Sequence, residues 1–350
     1  MRILLLLLLL LAGCATRRDA PPPPPPITEA EMRGAIGVLA SDAFEGRMPG
    51  TPGGDKAAAY IAERFAAAGL DSMPGGFLQP FKVDRSPTPL PAPSVQLPAG
   101  QRLFQEQMNN KGAFTAHNIV AKVPGHVPDG RVVVVMAHYD HLGLCAPEGS
   151  ADRVCNGAVD NASGVAAVIA VADRVAKMRL DRDVWFVATS AEEWGLLGAK
   201  AFADSPPVPL GRIIAGFNLD TIATAPKGAP VAMVAAKGAP LEALVRVSAA
   251  AMGRPWDGDG EAAGFLERQD GWALAKRGVP MIMAGGSFSD LKRLQAFLGA
   301  AYHSPEDELC ADTELGGAVE DANLHVELVR RAASRSLLPS FGAVPQLGRR

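Results

Sequence analysis

Residues Asp183–Gly198 read DVWFVATSAEEWGLLG. The first seven are an apolar run rich in β-branched and aromatic side chains, the pattern of a strand buried on both faces. Two glutamates, Glu192 and Glu193, follow at once. Adjacent carboxylates repel, so a pair at the end of a buried strand needs a use. The same grammar recurs on either side. Upstream, Val132–Ala137 (VVVVMA) runs into His138, Tyr139, Asp140 and His141. Downstream, Ile213–Leu219 is a strand that leads into Asp220, and Val231–Ala235 and Val279–Ala284 are further strands. Helical patterns separate them at Asn161–Met178, Leu196–Ala203, Leu241–Met252 and Asp270–Arg277, and Asn323–Ser336 closes the series. Alternating strands and helices predict an α/β fold: a three-layer αβα arrangement around a mixed, mostly parallel central sheet. Sites in such folds gather beyond the carboxyl ends of the strands.

Ahead of this region, Thr28–Glu31 carries a capping-box pattern and opens a helix to about Ala40. A turn-rich loop follows at Asp42–Gly54, then a helix at Gly54–Ala68 that Gly69 ends. Met73–Gly112 is rich in Pro, Gly and Gln and reads as irregular cover with a short strand or two. Asn118–Val123 and Val132–Ala137, separated by PGHVPDG, suggest a β-hairpin.

The chain has 350 residues, 48% hydrophobic and 20% charged, with a formal net charge of −3. No basic stripe is present, which argues against nucleic acid as a partner. Met1-Arg2 precedes an apolar run about half the ~20 residues a membrane-spanning helix needs, so residues 1–13 read as a secretory signal peptide. Leu11-Ala12-Gly13-Cys14 looks like a bacterial lipobox, with Cys14 lipidated. Residues 14–27, including six consecutive prolines, then form a stiff linker, 28–340 the folded domain and 341–350 a tail. The expected location is the bacterial cell envelope, with the protein facing the periplasm or surface-exposed and held to a membrane by its lipid. An exported compartment permits disulfides, and Cys145 and Cys155 flank one loop, so they are expected to pair. Cys310 is left over. Nothing in the sequence sets the oligomeric state.

Five polar groups follow the strands: His138–His141, Asp160-Asn161, Glu192-Glu193, Asp220, and Tyr302-His303-Ser-Pro-Glu-Asp307. Each alone is ordinary; Asp160 could cap a helix and Asp220 could begin a turn. Together they matter, because the ends of neighbouring parallel strands meet. Asp160, Glu193 and Asp220 in one cleft would repel unless a cation were present, and the mixture with His138 and His303 suits zinc. The charge count favours two ions over one.

The segments AHYDHLG, AVDNASG, AEEWGLLG, NLD and YHSPED resemble the zinc-dependent aminopeptidase family that includes bacterial leucyl aminopeptidases, glutamate carboxypeptidase and glutaminyl cyclase. DAFEGRMPGTPGGDKAAAYIAERF is similar to that family's opening segment, and the resemblance runs from about Thr28 to Leu337. It implies two Zn²⁺, with Asp160 bridging, His138 and Asp220 completing one site, and Glu193 and His303 the other. It implies Glu192 as general base and Asp140 as the partner that orients His138, with His141 in the wall. A cis peptide bond is expected at Asp160–Asn161. Gln269-Asp270-Gly271 departs from the family's usual segment and leaves Asp270 as a possible pocket residue. The implied activity is removal of N-terminal residues from peptides outside the cytoplasm. A carboxypeptidase or dipeptidase would need a cation for the free carboxylate, with Arg254, Arg268 and Arg293 as candidates. Glutaminyl cyclisation is less favoured, and a non-catalytic binding domain would require lost ligands.

Overall fold

The capping box forms as read. Glu31 N–H donates to Thr28 Oγ1 (3.4 Å) and Thr28 N–H to Glu31 Oε2 (2.8 Å), opening α1 (Glu29–Leu39). The computed structural model of the protein describes residues 23–84, 102–103, 106–107, 109, 112–127, 129–235 and 239–338. The expected signal peptide, Cys14, most of the expected linker and the tail 341–350 lie outside the described residues. Thr51 caps α2 (Pro52–Ala67), with proline in the first turn where its missing N–H costs nothing. Then come β1 (Asp71–Ser72), β2 (Leu78–Val83), β3 (Phe114–Val123) and β4 (Val132–His138). The short strands β5 (Gly143–Leu144) and β6 (Val154–Cys155) pair with each other, and the expected Cys145–Cys155 disulfide ties their ends. The rest alternates: α3 (Ser163–Ala176), β7 (Asp183–Thr189), α4 (Leu197–Asp204), β8 (Ile213–Asn218), β9 (Ala232–Val234), α5 (Glu242–Ala251), α6 (Gly271–Ala275), β10 (Met281–Gly285), α7 (Leu291–Leu298) and α8 (Gly316–Ala332).

Among the described residues the main sheet has eight strands, ordered β1-β3-β7-β4-β8-β10-β9 with β2 also on β3. The four central strands, β7, β4, β8 and β10, are parallel, and the flanking pairings are antiparallel. The hairpin expectation is overturned here. β3 and β4 do not pair; β7 lies between them, with Val184 opposite both Val123 and Val133. A loop between two adjacent β-rich runs marks a connection, but which strand fills the gap is decided by burial, and DVWFVAT is the run apolar enough for the centre. The last helix also begins earlier than expected, at Gly316.

β4 shows why three layers form. All its residues are buried. Val133 and Val135 face the larger core with Val165, Val168 and Val171 of α3. Val132, Val134 and Met136 face the other side with Phe202 of α4 and Leu274 of α6. Alternation thus buries one strand in two cores. Near the far end of α3, Arg174 donates to the carbonyls of Pro25 (2.7 Å) and Pro26 (3.2 Å) and to Glu31 Oε1 (2.6 Å), docking the last prolines of the run onto the domain.

Candidate metal centre

The parallel strands deliver their polar residues to one edge. His138 ends β4, Glu192 and Glu193 follow β7, and Asp220 follows β8. Asp160 sits in a π-type turn, Ala158–Ala162, just ahead of α3, and its bond to Asn161 is cis as expected. Asn161 knits the neighbours: its Nδ2 donates to Leu219 O (3.0 Å), and its Oδ1 accepts from Gly164 N–H (3.0 Å) and Thr221 N–H (3.3 Å). Gly164 is required by this approach, since a Cβ there would lie 2.3 Å from Leu219 O.

Asp160 is central. Its Oδ1 lies 3.2 Å from His138 Nε2, and its Oδ2 lies 3.3 Å from His303 Nε2. On the first side, Asp220 Oδ1 is 3.7 Å from His138 Nε2. On the second, Glu193 Oε2 is 2.9 Å from His303 Nε2. His138, Asp160 and Asp220 can bring ligand atoms within 4.8 Å of one another, and His303 Nε2 stands beside both Asp160 and Glu193 as a second donor set. Two mixed nitrogen and oxygen donor sets sharing one carboxylate fit a pair of zinc-like cations. All five residues expected as metal ligands therefore converge. His138 is oriented through Nδ1, which faces Asp140 O at 3.2 Å. Asp140 Oδ1 in turn accepts the Glu192 N–H (3.0 Å), so Glu192 and the His138 imidazole are tied through one aspartate.

The electrostatics show what the cluster needs. Burial would strip the proton from His138, but the charge of Glu192 and hydrogen bonds to Asp140, Asp160 and Asp220 hold it well above its ordinary range. Burial disfavours the Asp160 carboxylate, yet hydrogen bonds from His138 and His303 keep it well below its ordinary range. Glu193 is likewise held at about 2 against burial, chiefly by the charge of His303. Glu192 goes the other way: enclosure and the neighbouring Glu193 charge outweigh His138 and raise it well above the usual carboxylate range. Two adjacent glutamates thus differ in proton affinity, the separation expected when one binds a cation and its neighbour carries protons.

Three further residues support the site. Asp307, four residues after His303, accepts N–H bonds from Val159 (2.8 Å) and Asp160 (3.0 Å). Arg47 is fully buried and donates to the carbonyls of Leu39, Tyr139, Asn156 and Gly157 at 2.6–3.0 Å, joining the loops that carry Asp140 and Asp160. Its only sequence signal is a charged residue inside the Gly- and Pro-rich loop DAFEGRMPG. His141, expected in the wall rather than on the metal, turns its Nδ1 to Glu193 Oε1 at 2.8 Å.

A cleft opens over Glu192, His138, Asp160 and Asp220. Its far wall is apolar, with Phe265, Met283, Phe288, Leu294 and Leu298, and Arg268 and Gln269 stand beside it. Asp270 is fully buried, accepts the Thr189 hydroxyl and does not line the cleft. Burial pushes its carboxyl up to about 7. Of the three arginines singled out in the sequence, Arg254 is buried on Asp321 (2.6 Å), Arg293 pairs with Glu314 (3.4 Å), and Arg268 reaches the cleft. Cys310 is free and exposed.

Comparison with known proteins agrees with this construction. Aminopeptidase YwaD of Bacillus subtilis (strain 168) is 32% identical over 112 residues, 31% of this chain and 22% of that protein. The alkaline phosphatase isozyme conversion protein of Escherichia coli (strain K12) is 28% identical over 166 residues, 45% of this chain and 41% of that protein. The chain thus spans less than half the length of either curated relative. The structure of BSAP, a zinc aminopeptidase from Bacillus subtilis, superposes with a TM-score of 0.66 at 16% identity, covering 91% of this chain and 98% of that one, a likeness of fold. The profile of Peptidase family M28 matches residues 118–326, a span that holds every proposed ligand and more than half of the sequence, and the protein therefore belongs to Peptidase family M28.

Proposed function

We propose that the protein is a di-zinc exopeptidase that removes N-terminal residues from peptides. The observation that carries this reading is the position of Asp160, with one oxygen beside His138 and the other beside His303, while Glu192 faces the cleft. Asp160 would give one oxygen to each ion, with His138 and Asp220 completing one site and Glu193 and His303 the other. When bound, the two ions supply Lewis acidity toward the scissile carbonyl and acidify water. Glu192, whose proton affinity is raised by its surroundings, takes a proton from the attacking water and delivers it to the departing amine. Asp140 holds the Glu192 backbone and His138 in register. The apolar wall of the cleft suits an uncharged side chain on the residue being released.

Glu192→Gln should keep both metal ions and lower turnover by about 10²–10⁴-fold, the usual share of a general base. Metal content and steady-state rates check this, and near-normal turnover would remove Glu192 from the role. A second reading, a carboxypeptidase or dipeptidase, is favoured by Arg268, an exposed cation on the cleft lip whose guanidinium lies 5.6 Å from the Phe265 ring. Amino-acid p-nitroanilides and N-blocked peptides, assayed with and without a chelator, separate the two. Hydrolysis of the anilides alone supports the first reading; hydrolysis of blocked peptides with a free carboxylate supports the second.

We also propose that the protein works outside the cytoplasm, held to a membrane by a lipid on Cys14. The Leu11–Cys14 segment and the prolines behind it support this. Among the described residues no helix is long and apolar enough to cross a membrane.

A further inference from the structure

We infer that His141 is a positioning residue that donates Nδ1–H to Glu193 Oε1, so that Glu193 presents only Oε2 to a cation. This rests on the two-ion reading above. His141 Nδ1 lies 2.8 Å from Glu193 Oε1 and 3.9 Å from Asp160 Oδ2, so by proximity alone it could be taken for a ligand. The other ring nitrogen decides the matter. A ligating imidazole normally donates its remote N–H to an acceptor that fixes the ring. His138 fits that pattern, with Nε2 toward the carboxylates and Nδ1 at Asp140 O. His141 does not: its ring is fully buried, and Nε2 has no hydrogen-bond partner among the described residues. A proton on that nitrogen would be an unsatisfied buried donor, which is unfavourable. The proton therefore belongs on Nδ1, where an acceptor waits, and a protonated nitrogen cannot bind metal.

The surroundings hold this pose. The ring meets His303 edge-on at 5.6 Å between centroids. Gly157, at φ 55°, lies against it, and a Cβ there would come within 2.6 Å of the imidazole. The two histidines thus divide Glu193 between them. His303 Nε2 sits at Oε2 and His141 Nδ1 at Oε1.

The test uses the zinc-loaded protein. X-ray absorption at the zinc edge should give one imidazole per zinc on average, from His138 and His303; a third imidazole shared over two ions would overturn the inference. His141→Ala should weaken binding of one of the two ions by about 10–100-fold, as losing a ligand's hydrogen-bond partner usually does. In His141→Asn the amide nitrogen falls where Nδ1 stood, and affinity should return to within about 3-fold of the parent on that scale. His141→Gln places its nitrogen at the Nε2 position and should behave like alanine. Unchanged affinity in the alanine variant, or rescue by glutamine but not asparagine, would sink the idea. A parent protein that takes up no zinc would instead remove the two-ion reading, and this inference with it.

Discussion

Asp307 and His325 show two kinds of chemistry that single residues hide. Asp307 stands in the segment YHSPED that marks His303, yet its work is done on backbone N–H groups 147 and 148 positions earlier. Sequence displays the side chain and gives no sign of so distant a backbone partner. The candidate ligands were legible because such groups need particular side chains at strand ends; their supports were not, because an N–H or carbonyl looks the same everywhere. His325 is a plainer case. It is fully buried in α8, and Nδ1 faces Asp321 O at 2.8 Å. Burial first, and then the charge of Arg254, push it down to about 4 against that hydrogen bond. The unfolded chain takes up a proton below about 6.5 that the fold refuses until about 4, so this residue's contribution is intact above 6.5 and is lost as pH falls toward 4. The loss is on the order of 3 kcal/mol. His325→Asn keeps a donor for Asp321 O and should flatten that part of the stability profile. Urea midpoints from pH 7 to pH 4 for parent and variant provide the measurement, and parallel profiles would refute it.

The start of α3 is the element on which the centre turns. Its first turn lies against the end of β8, with a space that admits hydrogen but not methyl at Gly164. Gly164→Ala should force the helix off Leu219 O, costing about 1–3 kcal/mol or somewhat more as an overpacked contact. It should also weaken metal binding, because Asn161 and Asp160 move with that turn. Thermal unfolding and zinc titration would report both, and an unchanged protein would show that the turn can relax. Elements were unequally legible. All four central strands announced themselves as apolar runs, and β4, β7 and β8 also as runs leading into histidine or acidic residues. The β3–β4 hairpin failed because pairing is not local: β7 enters the gap from about 50 residues downstream. The beginning of α8 was missed because Gly316 and Gly317 are poor helix formers, although Gly317 packs closely under Ala225 O. α7 was not anticipated either; it is short and mostly exposed, and Leu294 is its one fully enclosed side chain.

At the scale of the whole molecule, two separate ties hold the loops around the centre: the buried Arg47 and the Cys145–Cys155 bond, which closes a separation of 10 residues. Replacing both cysteines by serine should lower unfolding free energy by about 2.5–3 kcal/mol if chain entropy governs the effect. Denaturant titration of the oxidised parent and the double variant measures it, and equal midpoints would show the loop to be held by Arg47 and packing alone. The docking of Pro25 and Pro26 on Arg174 has a consequence for how the molecule is presented. Arg174 lies in the last turn of a 14-residue helix whose other end touches the centre, a separation of roughly 17 Å along its axis. Pro25 and Pro26 consequently sit at the end of α3 remote from the candidate metal centre. The lipid attachment proposed at Cys14 would thus join the domain on its side away from the candidate centre.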